Sequence, residues 1–477
     1  MNTIIFNLFN GFNVRYLIET GIIDNLKKKN KIILTSYSFE EIQDYFVNDE
    51  NIILYKFEKE KDALFKKNFI YRNLNTIKYY MSGGNFKTPN LHFGIFEKDY
   101  YSKFTLRKFF YIYFLKIILK VFNKYKFLRK SFSKIIENQY PAYYNQVFKE
   151  YDIDAVVCTS LGTFANDEFL MRSAKKKNIK TLGMMLSWDN STTRGYPGCK
   201  PTNVFAWTNT MKREIEQLSD IDGNKIYVTG SAQFDHYFHD LMITKKSFEK
   251  KFNLDEKKNT LFFATRGPNT YASNAEIIKT ICKAIQNNEI ENSQLIVRIH
   301  PLHYTKDKFK NYEELFRSYN ELELEFKKIL KINYPVFRDK KNKFFLDKEN
   351  TLDLHALLKY SDVVINVFST INIEGAIFDK PLINICYQTN TDFYNKNIKS
   401  RYDIKIDYEQ DHNQRILKTG GITNCWNDRE LINGINLALN HPKKLSYERK
   451  QIINNEVGPN KGKSAQKIAR LIEELIK

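Results

Sequence analysis

Three stretches in the second half of the chain bring cations, hydroxyls and an imidazole to places where an apolar run gives way to a turn. In QLIVRIHP, Leu295, Val297 and Ile299 alternate with Ile296, Arg298 and His300. Arg298 and His300 are therefore expected on one strand face, with Pro301 ending the strand. In DVVINVFSTINIEGAIFDKPLINI, an apolar run from Val363 to Val367 leads to Ser369 and Thr370 and then to a helix opening near Ile371. Free N–H groups and the positive end of a helix dipole attract phosphate, and the two hydroxyls add donors. Glu374, one turn further in, is placed to accept hydrogen bonds from ribose hydroxyls. In TLFFATRGPNTY the run Leu261 to Ala264 enters Thr265, Arg266 and Gly267, where Arg266 can pair with a diphosphate and Gly267 permits close backbone approach. Each stretch also has a plain reading: a loop histidine held by backbone, an ordinary N-cap, a solvated arginine. Their joint occurrence at strand ends favours phosphate binding.

The first half offers less. SWDNSTTRG places Trp188, Asp189, Asn190 and Arg194 just beyond the strand TLGMML. There a carboxylate can deprotonate a hydroxyl and an indole can stack on a sugar, so Asp189 is the candidate base. An Asx-turn or helix cap explains Asp189 equally well. Gly11 and Asn13 follow the first strand and are expected to line a cleft between domains, although a tight turn alone explains Gly11. No Asp-x-Asp flanked by apolar residues suggests a metal site, since Asp152 and Asp154 in YDID turn the chain into the next strand. No metal and no cofactor are expected.

These residues need parallel strands to hold them. A short apolar run, Thr3 to Leu8, precedes Val14, Leu17, Ile18, Ile22, Ile23 and Leu26 at helical spacing, and then the strand KIILTS. The alternation returns at AVVCTS, KTLGMML, NVFAW and KIYVTG, and begins afresh at TLFFAT. The pattern predicts an α/β chain of two Rossmann-like domains facing a cleft, 1–240 and 241–450, with the boundary near 236–256 and a packed terminal helix in 451–477. On that helix Ala465, Ile468, Ala469, Ile472 and Leu475 share a face. Residues 97–150 hold no convincing strand but many aromatics and cations, and read as one or two basic amphipathic helices inserted in the first domain.

Composition bounds the rest. The chain has 477 residues, of which 42% are hydrophobic and 27% charged, which excludes global disorder. Five cysteines with no CxxC pair suggest neither zinc nor a disulfide framework and fit a reduced cytoplasm. No signal peptide or bilayer-length apolar run is evident. A net charge of +20 draws the protein toward polyanions. Without a helix-turn-helix, RRM or zinc-finger signature, nucleic acid is not the expected partner. Segment 103–134 divides into apolar residues and lysines; it suits an anionic membrane surface, or packing on the first domain with its lysines in water.

Together, His300-Pro301 and Ser369-Thr370 in their strand contexts resemble the GT-B glycosyltransferase superfamily. The resemblance is to the branch of CDP-glycerol glycerophosphotransferases, capsule polysialyltransferases and related surface-polysaccharide transferases. VTGSAQFD at 228–235 and LSWDNSTTRG at 186–195 resemble further elements of that branch, and the likeness runs from about residue 151 to 470. It implies a GT-B fold whose second domain binds a nucleotide sugar through His300, Pro301, Ser369 and Thr370, to which the reading of the residues above adds Arg266, Gly267, Arg298 and Glu374. Asp189 and His300 would be catalytic, and Gly11, Asn13, Trp188, Asn190 and Arg194 would hold the acceptor. The expected activity is metal-independent sugar transfer to a glycan or lipid-linked glycan of the cell surface, in the cytoplasm or at the inner face of the membrane. Asn366, Val367 and Phe368 stand where the glycerophosphotransferases carry aspartate and tyrosine, which disfavours glycerol phosphate transfer. The alternatives are a non-hydrolysing UDP-sugar 2-epimerase, which needs no acceptor, a CDP-glycerol-type transferase, and a basic nucleic-acid-binding protein.

Overall fold

The computed structural model describes the chain except residues 10, 41, 47, 48, 102–104, 163, 241, 242, 269, 272, 305–311, 338–347 and 390–402. The chain divides into two compact units, Met1–Phe238 with Asn455–Lys477, and His239–Asn454.

The first unit is built on seven parallel strands: β1 (Asn2–Asn7), β2 (Asn30–Ser36), β3 (Ile52–Lys56), β4 (Ala155–Cys158), β5 (Lys180–Met184), β6 (Asn203–Ala206) and β7 (Ile226–Val228). Their order is β3-β2-β1-β4-β5-β6-β7. Ile4 pairs with Ile32 on one side and Ala155 on the other, so the first strand lies in the middle and is buried on both faces. The periodic segment after β1 is not one helix. It breaks into Gly11–Val14, a π-turn at Arg15–Glu19 and Ile22–Leu26, because Gly21 stands at φ +79°.

The helical insertion is larger than expected. Between β3 and β4 the described residues form five helices of eight or more residues, Lys59–Lys66, Phe69–Tyr80, Thr88–Tyr101, Leu106–Lys124 and Lys126–Ile136, followed by the single turns Ala142–Asn145 and Val147–Glu150, so the insertion opens near residue 59 and not 97. Its apolar centre is formed by Met81, Leu119, Phe132 and Ile136 with Tyr196 from the segment after β5. Two buried ion pairs tie it down: Lys78 Nζ meets Glu168 Oε1 at 2.8 Å, and Arg129 Nε meets Asp220 Oδ2 at 2.8 Å. Glu168 also takes Arg172 at 2.7 Å and the Gly198 N–H at 2.8 Å, so its buried charge is compensated on both oxygens.

The final helix, Ser464–Ile476, buries Ala465, Ile468, Ala469, Leu471 and Ile472 within the first unit. The segment 228–235 fastens it. Ser231 N–H donates to Val457 O at 3.0 Å, Asn460 Nδ2 to Thr229 O at 3.1 Å, and Ala465 N–H to Asp235 Oδ2 at 2.8 Å. Asp235 thus caps this helix from a distant part of the sequence.

The second unit has six parallel strands: β8 (Asn259–Ala264), β9 (Ser293–Arg298), β10 (Leu330–Asn333), β11 (Val363–Asn366), β12 (Leu382–Ile385) and β13 (Thr423–Cys425). Their order is β10-β9-β8-β11-β12-β13. This is the doubly wound order whose direction of winding reverses between β8 and β11, and ligands bind such sheets at the strand tips beside that reversal. All five cysteines are buried free thiols.

Candidate functional site

The sequence of the second unit brings its chemistry to the tips of β8, β9 and β11. Thr265 extends β8, and its Oγ1 accepts the His300 N–H at 2.8 Å while its own N–H donates to Arg298 O at 3.0 Å. Arg266 follows. Its Nε donates to Thr270 Oγ1 at 3.0 Å, its Nη1 to Val367 O at 3.4 Å, and its guanidinium meets the Asp407 carboxylate at 2.8 Å. Three strand tips are thereby stitched together. Asp407 is buried, and burial pushes its carboxyl up while Arg266 opposes this. Gly267 is buried, and its carbonyl takes the N–H groups of Thr270 and Tyr271, each at 3.0 Å.

His300 and Pro301 lie in the turn after β9. Leu302 N–H donates to His300 Nδ1 at 3.1 Å, which places the proton of the neutral ring on Nε2. Burial first, then Arg266 and Arg298, push His300 down to about 4. At neutral pH it is therefore an uncharged donor. Beneath it His303 is 1% exposed and lies between His300 O at 3.0 Å and Tyr319 Oη at 2.9 Å.

The turn after β11 is set by asparagines. Asn366, Asn384 and Asn424 stand side by side on β11, β12 and β13, and the first two are fully buried. Asn384 Oδ1 accepts the Phe368 N–H at 2.8 Å, and Asn366 Oδ1 accepts the Ser369 N–H at 3.1 Å. Asn366 Nδ2 reaches on to Asn372 Oδ1 at 2.7 Å. Phe368 is held at φ +41°, a conformation that an L-residue keeps only when its surroundings impose it. The helix Ile371–Ile377 then opens with Ser369 and Thr370 half-buried at its start and Glu374 buried in its first turn.

Arg266, Gly267, His300, Pro301, Ser369, Thr370 and Glu374 therefore belong to one group of neighbouring strand tips. Arg298 does not serve it as expected. The strand ends at Arg298, two residues before His300, and the Arg298 side chain is buried. Its donors go to Asn333 Oδ1, its partner across β10, and to Asn350 O at 3.2 Å. It is a structural cation. Sequence reasoning missed Asn366, Asn384 and Asp407, and also Tyr408, whose ring meets Phe368 at 6.3 Å and Trp426 at 5.0 Å. A polar residue within an otherwise apolar strand was the available signal for the asparagines.

The candidates of the first unit are engaged structurally. Asp189 Oδ1 accepts Ser187 Oγ and its Oδ2 accepts Thr193 Oγ1 at 2.9 Å, so the carboxylate organises the short helix Asn190–Thr193. Trp188 is 4% exposed, which corrects the expectation of an indole face offered to a sugar. Asn190 is buried, Arg194 is half-buried, Gly11 is buried at the start of its helix, and Asn13 Nδ2 donates to Thr159 Oγ1 at the end of β4. Among the described residues no three His, Cys, Asp or Glu side chains gather as metal ligands.

Two parallel Rossmann-like sheets of seven and six strands define a GT-B-like fold. Residues 202–394 match the family model described as UDP-N-acetylglucosamine 2-epimerase. The chain is similar in structure to the Staphylococcus aureus MnaA–UDP complex, with a TM-score of 0.54, 11% identity, and 100% and 97% of the two chains covered. It is similar to the UDP-GlcNAc 2-epimerase of Neisseria meningitidis bound to UDP-GlcNAc, with a TM-score of 0.52, 12% identity, and 99% and 100% covered. The UDP-GlcNAc 2-epimerase of Methanocaldococcus jannaschii gives a TM-score of 0.50 at 17% identity over 99% of each chain. A search of curated proteins returns no match. The family match overturns the expectation of sugar transfer to an acceptor: it falls on epimerases, which was the alternative reading. The assignments of Asp189, Gly11, Asn13, Trp188, Asn190 and Arg194 to an acceptor lose their basis with it. The glycerophosphotransferase and polysialyltransferase branch finds no support either.

Proposed function

We propose that the chain is a non-hydrolysing UDP-sugar 2-epimerase whose second unit holds the diphosphate of its substrate. The observation that carries this reading is the stitched group of Arg266, His300 and the Ser369–Thr370 turn beside the reversal of the sheet, inside the segment that matches the epimerase family. Carbon 2 of such a sugar has no neighbouring carbonyl, so its hydrogen is not acidic. It can leave as a proton if the bond from carbon 1 to the diphosphate oxygen breaks with it, giving a double bond between the two carbons and free UDP. Return of a proton to the opposite face and of UDP to carbon 1 completes the inversion. The protein must stabilise the departing diphosphate and keep it in place. Arg266, pre-oriented by Asp407, supplies charge; His300 Nε2–H and the half-buried hydroxyls of Ser369 and Thr370 supply neutral donors.

The test is to incubate the protein with UDP-N-acetylglucosamine in deuterium oxide and follow carbon 2 by NMR. Deuterium at that carbon together with its epimer is expected, and no acceptor is needed. Replacing Ser369 and Thr370 by Ala should weaken UDP binding by about 1–3 kcal/mol in calorimetry while the fold is retained. Absence of exchange and unchanged UDP affinity in the double variant would reject the assignment.

A further inference from the structure

The helix Leu106–Lys124 has two apolar faces. Ile112, Leu115 and Leu119 are buried, at 0%, 2% and 6% exposure. On the other side Leu106, Phe110, Tyr113, Phe114, Ile117 and Val121 keep 69%, 64%, 56%, 61%, 46% and 40% of their surface exposed. At the angular step of an α-helix these six fall within a sector of about 100°, opposite the buried three. A helix on a protein surface ordinarily turns a polar face outward, and one that is apolar all round is covered by something. Here the outward sector is bordered by exposed cations, Arg107 on one edge and Lys116 and Lys120 on the other, with Lys124 at its end. From Tyr100 to Ile136 the sequence holds ten Lys or Arg and no Asp or Glu, and the partner of Lys116 comes from outside, Glu97 at 2.6 Å. Lys103 and Phe104 lie outside the described residues. Among the described residues no helix is long and apolar enough to cross a membrane.

We propose that this face docks on an anionic lipid bilayer, its rings and aliphatic side chains entering the boundary between headgroups and acyl chains while the bordering cations meet lipid phosphates. The charge pattern selects this occupant. Two copies packed through the same stripe would bring their cationic borders together, with no acidic residue between Tyr100 and Ile136 to pair them. An anionic headgroup layer complements both borders at once, and a helix lying in that layer is held by apolar area and by attraction to acidic lipids together. The docking surface is formed by the insertion of the first unit and is independent of the nucleotide chemistry of the second.

The test is flotation of the full chain with vesicles of phosphatidylcholine and phosphatidylglycerol, beside vesicles of phosphatidylcholine alone. Flotation with the anionic vesicles at low salt, falling as salt rises, is expected. Phe114→Ser with Ile117→Ser, and separately Lys120→Glu with Lys124→Glu, should each lower vesicle binding about tenfold or more while keeping the wild-type melting temperature. Three outcomes would overturn the proposal. One is that the folded wild type does not float with anionic vesicles at low salt. Another is that neither double variant changes flotation. The third is a wild-type dimer, without vesicle binding, that the Phe114 and Ile117 substitutions convert to a monomer.

Discussion

Asp167 and the histidines of the second unit respond to pH in opposite senses. Asp167 is 1% exposed, accepts Asn7 Nδ2 at 2.9 Å and Ser160 Oγ at 2.8 Å, and is pushed up to about 6 by burial. Because its folded value lies above its unfolded one, its contribution is greatest at low pH and is lost as pH rises through about 6. His300 and His303 are pushed down, to about 4 and about 3, chiefly by burial. Their contribution is present above the ordinary histidine range and is lost as pH falls from there toward about 4. Asp167→Asn should therefore raise unfolding stability by about 2 kcal/mol at pH 8 and give no gain at pH 4, while the wild type weakens on acidification below about pH 6.5. Denaturant unfolding at the two pH values checks this; an equal gain at both would refute it. At this scale the placement at neighbouring strand tips was legible wherever a residue closely followed an apolar run, as with His300, Ser369 and Arg266. Asp407 was hidden because it meets Arg266 from 141 positions away. Arg298 was misread because strand alternation gives a face, and only the neighbouring strand shows that Asn333 Oδ1 accepts its guanidinium N–H.

Elements differed in legibility for a physical reason. The central strands were read from the sequence because a parallel strand covered on both faces is a continuous apolar run, as in Val363–Asn366 with every residue buried. The missed strands β3, β10 and β13 all lie at sheet edges, and each has at least two residues that are only partly buried. The helices ahead of residue 97 escaped notice because partial burial dilutes their periodicity: Phe69–Tyr80 buries only Tyr71 and Lys78. The junction that returns the chain to the first unit is tightly constrained. Gly458 stands at φ +82°, and a Cβ there would lie 2.1 Å from Trp207 O; Gly230 stands at φ +83°, with Pro459 O at 2.0 Å from its would-be Cβ. Gly458→Ala should cost about 2–4 kcal/mol of stability. Gly94→Ala, in the interior of helix Thr88–Tyr101 with nothing near its would-be Cβ, should instead stabilise by about 0.5–1 kcal/mol. Paired melting curves distinguish the two, and a tolerated Gly458→Ala would contradict the close approach.

The two units of the whole molecule differ in how their chain is assembled. The second is one continuous stretch, His239–Asn454, whereas the first needs Asn455–Lys477 to complete it. A protein ending at Asn454 should keep a protease-resistant second unit and lose that resistance in the first, whose residues facing Ile468, Ala469 and Ile472 would be uncovered. Limited proteolysis read by mass spectrometry tests this, and a first unit as resistant as in the full chain would disprove it. The same connectivity sets an order on the ribosome. Domains usually mature in the direction of synthesis, amino end first. Here the amino-terminal unit emerges first yet waits, with its sheet built and one side open, until the later unit has been made and the last helix has followed it out. A holding chaperone would find its client in that interval, and a stalled ribosome would leave the molecule with its second half finished and its first half incomplete.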